Sequence, residues 1–158
     1  QHLPAIVAAQ TANFIYHEIG EMKDSTFDPY IWRKLIAAFP HSPVELLARA
    51  VKDLLADTNR HGTLPYLIKH RKTAALGFYV AFQDGLIKEL FPELRAAFRD
   101  FTKFLDWRII EEAVSTGYRN AKNYTEKIVE IYQTGRQNQQ MQWVKQEIER
   151  RLLGKIIK

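Results

Sequence analysis

The chain has 158 residues, 46% of them hydrophobic and 26% charged, with a net charge of +5 at pH 7. This length and apolar content are typical of one globular domain with a buried core, and they argue against disorder. The absence of cysteine excludes disulfides, thiolate metal sites and a cysteine nucleophile, and no apolar run approaches the ~18 residues that span a bilayer.

Apolar residues recur with helical periodicity along nearly the whole chain, and no alternating run predicts a β-sheet. A first helix is predicted over residues 3–22, and a short second helix follows it. The start of the third helix has the clearest signal, because Ser42 as N-cap, Pro43 at the first helical position and Glu45 form a capping box. This helix is predicted to end near Asn59.

The middle of the chain predicts one helix from about residue 64 to residue 90, with a break near Thr73. After Pro92 comes an amphipathic helix with an apolar arc that we expect in the core. The arc consists of Leu94, Ala97, Phe98, Phe101, Phe104 and Leu105.

The last third predicts helices over residues 107–115 and 119–132, separated by the sequence STGY, and a loop at QTGRQNQQ before a final helix over residues 140–157. We therefore expect an all-α fold, a single compact bundle of six to eight helices formed by residues 1–158. Because the first residue is Gln rather than Met, we expect a chain trimmed or cut from a longer polypeptide.

No motif in the sequence predicts a metal site or catalysis. His17, Glu18 and Glu21 are close together, but the zinc motif H-E-x-x-H needs a second histidine where this chain has Glu21. A nucleophile elbow, a phosphate-binding loop and a dinucleotide-binding glycine pattern are all missing from the sequence. We therefore expect no metal, no cofactor and no enzymatic activity, and interpret His17 as a buried or capping residue.

The positive charge is concentrated in a few segments. Residues 58–83 contain four Lys or Arg and no acid, and residues 139–158 contain five basic residues against two acids. Several cations acting together bind a phosphate backbone, and Tyr66, Phe78 and Tyr79 could stack on unpaired bases. The candidate nucleic-acid-binding residues are Arg60, Lys69, His70, Arg71, Lys72, Arg95, Arg99, Lys103, Lys145, Arg151 and Lys155. The alternative for each group is an ordinary solvated helix face.

The segment KDSTFDPYIWRKLIAAFPHSPVELLARAVKDLL follows an apolar helix and joins an aromatic-proline corner to an amphipathic helix. In this order, and in size and basic helical character, the chain resembles the small helical subunit of type I CRISPR interference complexes, or the C-terminal helical domain of their large subunit. The resemblance implies stacked copies whose basic faces hold the displaced strand and the guide-target duplex. It assigns this contact first to Arg60, Lys69, Arg71 and Lys72, then to Arg95, Arg99 and Lys103.

We therefore expect a cytoplasmic, non-catalytic subunit that binds single-stranded DNA or an RNA-DNA duplex through the backbone, without sequence specificity. Its partners would be nucleic acid, other subunits of a larger complex and copies of itself, with no membrane. Two alternatives remain open. One is a module that binds only proteins, and the other is a small helical ligand-binding domain or enzyme with a site between helices.

Overall fold

The computed structural model describes residues 3–156, which are 82% helical and contain no strand. The predicted all-α fold is therefore confirmed. Within these residues, no helix is both long enough and apolar enough to cross a membrane. The helices are α1 Leu3–Lys23, α2 Pro29–Ala38, α3 Pro43–Thr58, α4 Thr63–Lys69, α5 Thr73–Ala81, α6 Gly85–Leu90, α7 Pro92–Phe104, α8 Trp107–Gln137 and α9 Met141–Arg151, followed by a 3₁₀ turn at Leu153–Lys155.

Helix α3 is the centre of the bundle, because α1, α2, α4, α6, α8 and α9 all pack against it. Its start agrees with the prediction, since the Ser42 hydroxyl accepts a hydrogen bond from the Glu45 amide at 3.3 Å. The Glu45 carboxylate in turn accepts one from the backbone amide of His41 at 2.6 Å. The apolar stripe of α3 is fully buried and comprises Val44, Leu47, Val51, Leu54 and Leu55.

Helix α8 is one helix of 31 residues, so the predicted break at STGY and most of the predicted loop at QTGRQNQQ are wrong. Both predictions depended on glycines that the structure buries inside the helix. A Cβ atom at Gly117 would lie 2.4 Å from Phe91 Cε2, and one at Gly135 would lie 2.0 Å from Val144 Cγ2. These glycines allow close packing against neighbouring helices and do not end the helix.

The predicted helix 64–90 is instead three helices, α4, α5 and α6. The predicted break near Thr73 is confirmed, because Arg71 adopts a left-handed conformation with φ of 53°. There the amide of Lys72 donates to the carbonyl of Leu67 at 2.9 Å and the amide of Arg71 to that of Ile68 at 3.2 Å. This pair of bonds is a Schellman motif, which closes α4.

Two residues of the predicted apolar arc of α7 lie outside the core. Phe104 is 69% exposed and Leu105 is 67% exposed, so their assignment to the core is wrong. Helix α7 ends at Phe104, and Leu105 has a left-handed φ of 54° that turns the chain away from the arc.

Helix α1 approaches α3 closely at Gly20. A Cβ atom there would lie 2.0 Å from the carbonyl oxygen of Ala56 and 3.0 Å from Gly62 Cα. The side-chain amide of Asn59, which is buried at the end of α3, also donates to the carbonyl of Gly20 at 3.0 Å. The position of α1 along α3 therefore depends on the absence of a side chain at residue 20.

We expect Gly20→Ala to lower the free energy of unfolding by about 1–3 kcal/mol, because the added methyl meets backbone that cannot move aside. Urea denaturation measures the change. Gly77→Ala is the matched control, since its Cβ would lie 3.7 Å from its nearest neighbour, Phe98 Cζ, and alanine gains up to about 1 kcal/mol within a helix. Equal stability of Gly20→Ala and the wild type would contradict the close approach of the two helices.

Candidate functional site

A buried carboxylate joins four helices. Asp57, at the end of α3, is only 6% exposed. Its Oδ1 lies 3.0 Å from Nδ1 of His17 on α1 and accepts a hydrogen bond from the Thr63 hydroxyl of α4 at 2.7 Å. Its Oδ2 accepts one from the Tyr79 hydroxyl of α5 at 2.7 Å. These residues, called the Asp57 cluster below, are His17, Asp57, Thr63 and Tyr79.

The Asp57 cluster holds a positive charge on His17. The hydrogen bond to Asp57 raises the pKa of His17 from 6.5 to about 9, against the opposing effect of burial and with help from the charges of Asp57, Asp53 and Glu18. Burial, together with Asp57, also raises the pKa of Tyr79 well above its usual value. At neutral pH the cluster is therefore an imidazolium-carboxylate pair with a neutral phenol.

The Asp57 cluster forms one wall of a cleft with a volume of about 260 Å³. Helix α1 and helix α5 form its sides, and the segment after α5 closes one end, so we call it the α1–α5 cleft. The other residues that line it are Gln10, Asn13, Phe14, Phe78, Phe82, Gln83, Asp84 and Ile87. It combines aromatic walls with convergent polar groups, which is the usual composition of a small-molecule site.

The ligand atoms of His17, Glu18 and Glu21 lie within 4.8 Å of one another. Two of these residues already have partners, because the Lys52 ammonium contacts the Glu21 carboxylate and His17 pairs with Asp57. A metal ion would have to displace the Lys52 ammonium and the proton on His17, so binding a metal here would break both ion pairs.

The charged run of the sequence lies on the turn between α4 and α5. All four of its side chains are exposed, and no described carboxylate forms an ion pair with any of them within 4.0 Å. The Arg71 guanidinium lies 5.5 Å from the ring centroid of Trp107. A groove of about 500 Å³ beside the turn is lined by Arg71, Lys72, Tyr66 and the start of α5. The basic turn is defined as Lys69, His70, Arg71 and Lys72.

Three other predicted cations have partners within the protein. Arg95 is half-buried and donates to the backbone carbonyl of Gln83 at 3.2 Å. Lys103 pairs with Asp100 at 3.1 Å, and Arg151 pairs with Glu147 at 3.4 Å. Each of the three side chains therefore has at least one polar contact within the protein, although Lys103 and Arg151 stay more than half exposed.

The remaining predicted cations are dispersed. Arg60 precedes α4 and Lys69 ends it, which separates them by roughly 10 Å along the helix. Arg99 is exposed on α7 and Lys145 is half-buried on α9, while the Lys155 side chain lies outside the described residues. Of the two basic segments, the C-terminal one packs through α9 mainly on α8 and α3, whereas α5 of the central one packs on α1, α4 and α7.

The aromatic residues predicted to stack on bases each contact other residues of the protein. The Tyr66 ring lies 3.5 Å from the ring of Tyr16 and 4.5 Å from that of His70, measured between centroids. Tyr79 is bound to Asp57, and Phe78 lines the α1–α5 cleft. Tyr66 therefore lies in the groove beside the basic turn, whereas Phe78 and Tyr79 line the α1–α5 cleft.

Sequence inspection missed the Asp57 cluster, because its members are far apart in the chain. One local signal was available, since an acid in the last turn of α3 faces the negative end of the helix dipole. Such a position calls for a compensating donor, and His17 supplies it from 40 residues away.

We expect the protein to lose stability as the pH rises from about 6.5 to about 9, because the folded state binds the His17 proton more tightly than the unfolded chain. Below that range the contribution is fully present. Urea denaturation across this pH range should show a steeper decline in the free energy of unfolding for the wild type than for His17→Gln, which has no titrating group at residue 17. An NMR titration of the His17 ring with a midpoint near 6.5 would contradict the ion pair.

The comparisons with known proteins identify a family but no described relative. The model of the C-terminal domain of a family of unknown function, DUF6866, matches residues 1–151. No curated protein and no solved structure matches the chain. Because the match covers nearly all of its residues, the chain belongs to the DUF6866 family, in the part described as the C-terminal domain.

Proposed function

We propose that this domain binds the phosphate backbone of nucleic acid without sequence preference, as a non-catalytic helical subunit of a cytoplasmic nucleoprotein assembly. The basic turn is the observation that carries the proposal. It exposes three permanent cations and a histidine in four consecutive residues, with no carboxylate paired to them in the described structure.

Unpaired cations side by side repel one another, and a bound anion relieves this repulsion. One acid that interacts with the turn is Asp106, whose pKa is lowered mainly by its hydrogen bonds to Arg108 and only to a small extent by Arg71. Because Arg108 already binds Asp106 at 2.7 Å, Arg71 and its neighbours remain available for an external anion.

The geometry limits how much strand one domain could hold. The basic turn lies beside the groove of Tyr66, Arg71 and Lys72, and its three permanent cations can neutralise about three phosphates at most. Such a contact is weak on its own, and tight binding requires several domains acting on one strand. This need for repeated copies agrees with the resemblance to the small subunit of type I CRISPR interference complexes, which would place the turn along the displaced strand.

We expect the variant Lys69→Ala/Arg71→Asn/Lys72→Ala to bind single-stranded DNA about tenfold more weakly than the wild type. The slope of log affinity against log salt should also become shallower by about 2, since each cation-phosphate contact accounts for ~0.7. Asparagine at residue 71 keeps the left-handed backbone accessible. Fluorescence anisotropy with a labelled oligonucleotide of about 20 nucleotides, starting at about 50 mM salt, measures both quantities.

The control variant removes three exposed cations of α2 and α8, Arg33→Ala/Lys122→Ala/Lys127→Ala, so its net charge changes by the same amount. It should retain most of the affinity. If both triple variants lose the same affinity, the basic turn has no special role. If the wild type fails to bind at about 50 mM salt, the proposed function is wrong.

A further inference from the structure

Gln83 is a buried side chain without a partner. Its residue is 7% exposed, and neither the oxygen nor the nitrogen of its amide has a hydrogen-bond partner in the described structure. Burying an amide in this state is unfavourable. Gln83 is one of the residues that line the α1–α5 cleft, so a rotation of its side chain would bring one donor and one acceptor, which the protein leaves unused, to a ligand in the cleft.

Asn13 provides a third unused atom on the opposite side of the cleft. Its Nδ2 donates to the carbonyl of Ala75 at 3.4 Å, while its Oδ1 is buried and has no partner. Three amide atoms without a partner in the described structure thus belong to two residues that line one small cleft. Buried polar groups in native proteins are almost always paired, and this concentration of exceptions marks a site for a polar group from outside.

The walls of the cleft favour a flat apolar body. The rings of Phe78 and Phe82 lie nearly parallel, with an interplanar angle of 17° and centroids 6.3 Å apart. Phe14 and Phe82 are each 70% exposed at the mouth of the cleft. A planar ligand would remove both rings from water and gain the favourable contacts that aromatic rings make with each other.

The charges that line the cleft disfavour anions. They belong to His17, Asp57 and Asp84. His17 and Asp57 neutralise each other as an ion pair at 3.0 Å, so the exposed carboxylate of Asp84 at the mouth determines the net sign. A carboxylate or phosphate entering the cleft would pass this negative charge, which the solvent at the mouth screens only in part, and it would offer no donor to the Gln83 oxygen.

We propose that the α1–α5 cleft binds an uncharged planar aromatic molecule that carries a carboxamide, or a nitrogen heterocycle with an adjacent donor and acceptor. The amide of Gln83 pairs with both atoms of that group, as glutamine does with an adenine edge. The Phe78, Phe82 and Phe14 rings cover the flat body. The volume of about 260 Å³ lies just below the usual range for drug-sized ligands, which fits a molecule of one or two rings.

The first test compares two molecules of nearly equal shape, nicotinamide and nicotinate, by the NMR shifts of the side-chain amides of Gln83 and Asn13. Nicotinamide should shift these signals with a dissociation constant on the order of 1 mM, as expected for a fragment. Nicotinate should leave them unchanged at the same concentrations. Equal binding of the two, or no shift with nicotinamide up to roughly 10 mM, overturns the proposal.

The second test uses Gln83→Leu, which removes the unpaired amide and keeps a side chain of similar size. Its melting temperature should rise by roughly 2–4 °C, and nicotinamide should no longer shift the Asn13 amide signals. Gln133→Leu, at an exposed glutamine of α8 outside the cleft, should retain nicotinamide binding. A lower melting temperature of Gln83→Leu means that the amide serves the fold, and unchanged nicotinamide binding means that Gln83 is not a contact. Either result overturns the assignment.

Discussion

The rest of the structure depends on the hydrogen bonds of the Asp57 carboxylate. It is buried where α1, α4 and α5 meet the end of α3, and it takes one partner from each of them. A buried charge that loses its partner destabilises a fold far more than a lost surface pair does. The same carboxylate fixes α1 against α5, and so shapes the cleft between them. It also holds the helix whose first residues follow the basic turn.

The sequence predicts well those features that depend on neighbouring residues. The capping box of Ser42 and Glu45 sets the start of α3, and the apolar stripe that follows is buried as its spacing requires. The exposure of the basic turn is equally local, because four consecutive residues with charged or polar side chains are difficult to bury together. The Asp57 cluster could not be predicted in this way, since its members are brought together only by the packing of four helices.

Helix boundaries were harder to predict because this chain uses glycine unusually. Most helices that end in a left-handed residue have glycine there, yet the left-handed residues after α2, α4, α7 and α8 are His41, Arg71, Leu105 and Gln139. Glycine instead lies inside α1, α5 and α8. A search for glycine as the end of a helix therefore divided α8 wrongly at Gly117 and placed a loop at Gly135. The same search did not predict that α7 ends before Leu105.

Two opposing demands act on Arg71. Its left-handed backbone favours glycine, whereas binding an anion at the turn favours a cation. A side chain other than glycine in this conformation costs on the order of 1–3 kcal/mol, and glycine would remove that cost without disturbing the hydrogen bonds that close α4. Selection for thermal stability alone should therefore replace Arg71 with glycine, and a laboratory evolution experiment that rewards only heat resistance would reveal this. If anion binding at the turn needs the Arg71 cation, the heat-resistant variants with glycine at residue 71 would no longer bind an anion there.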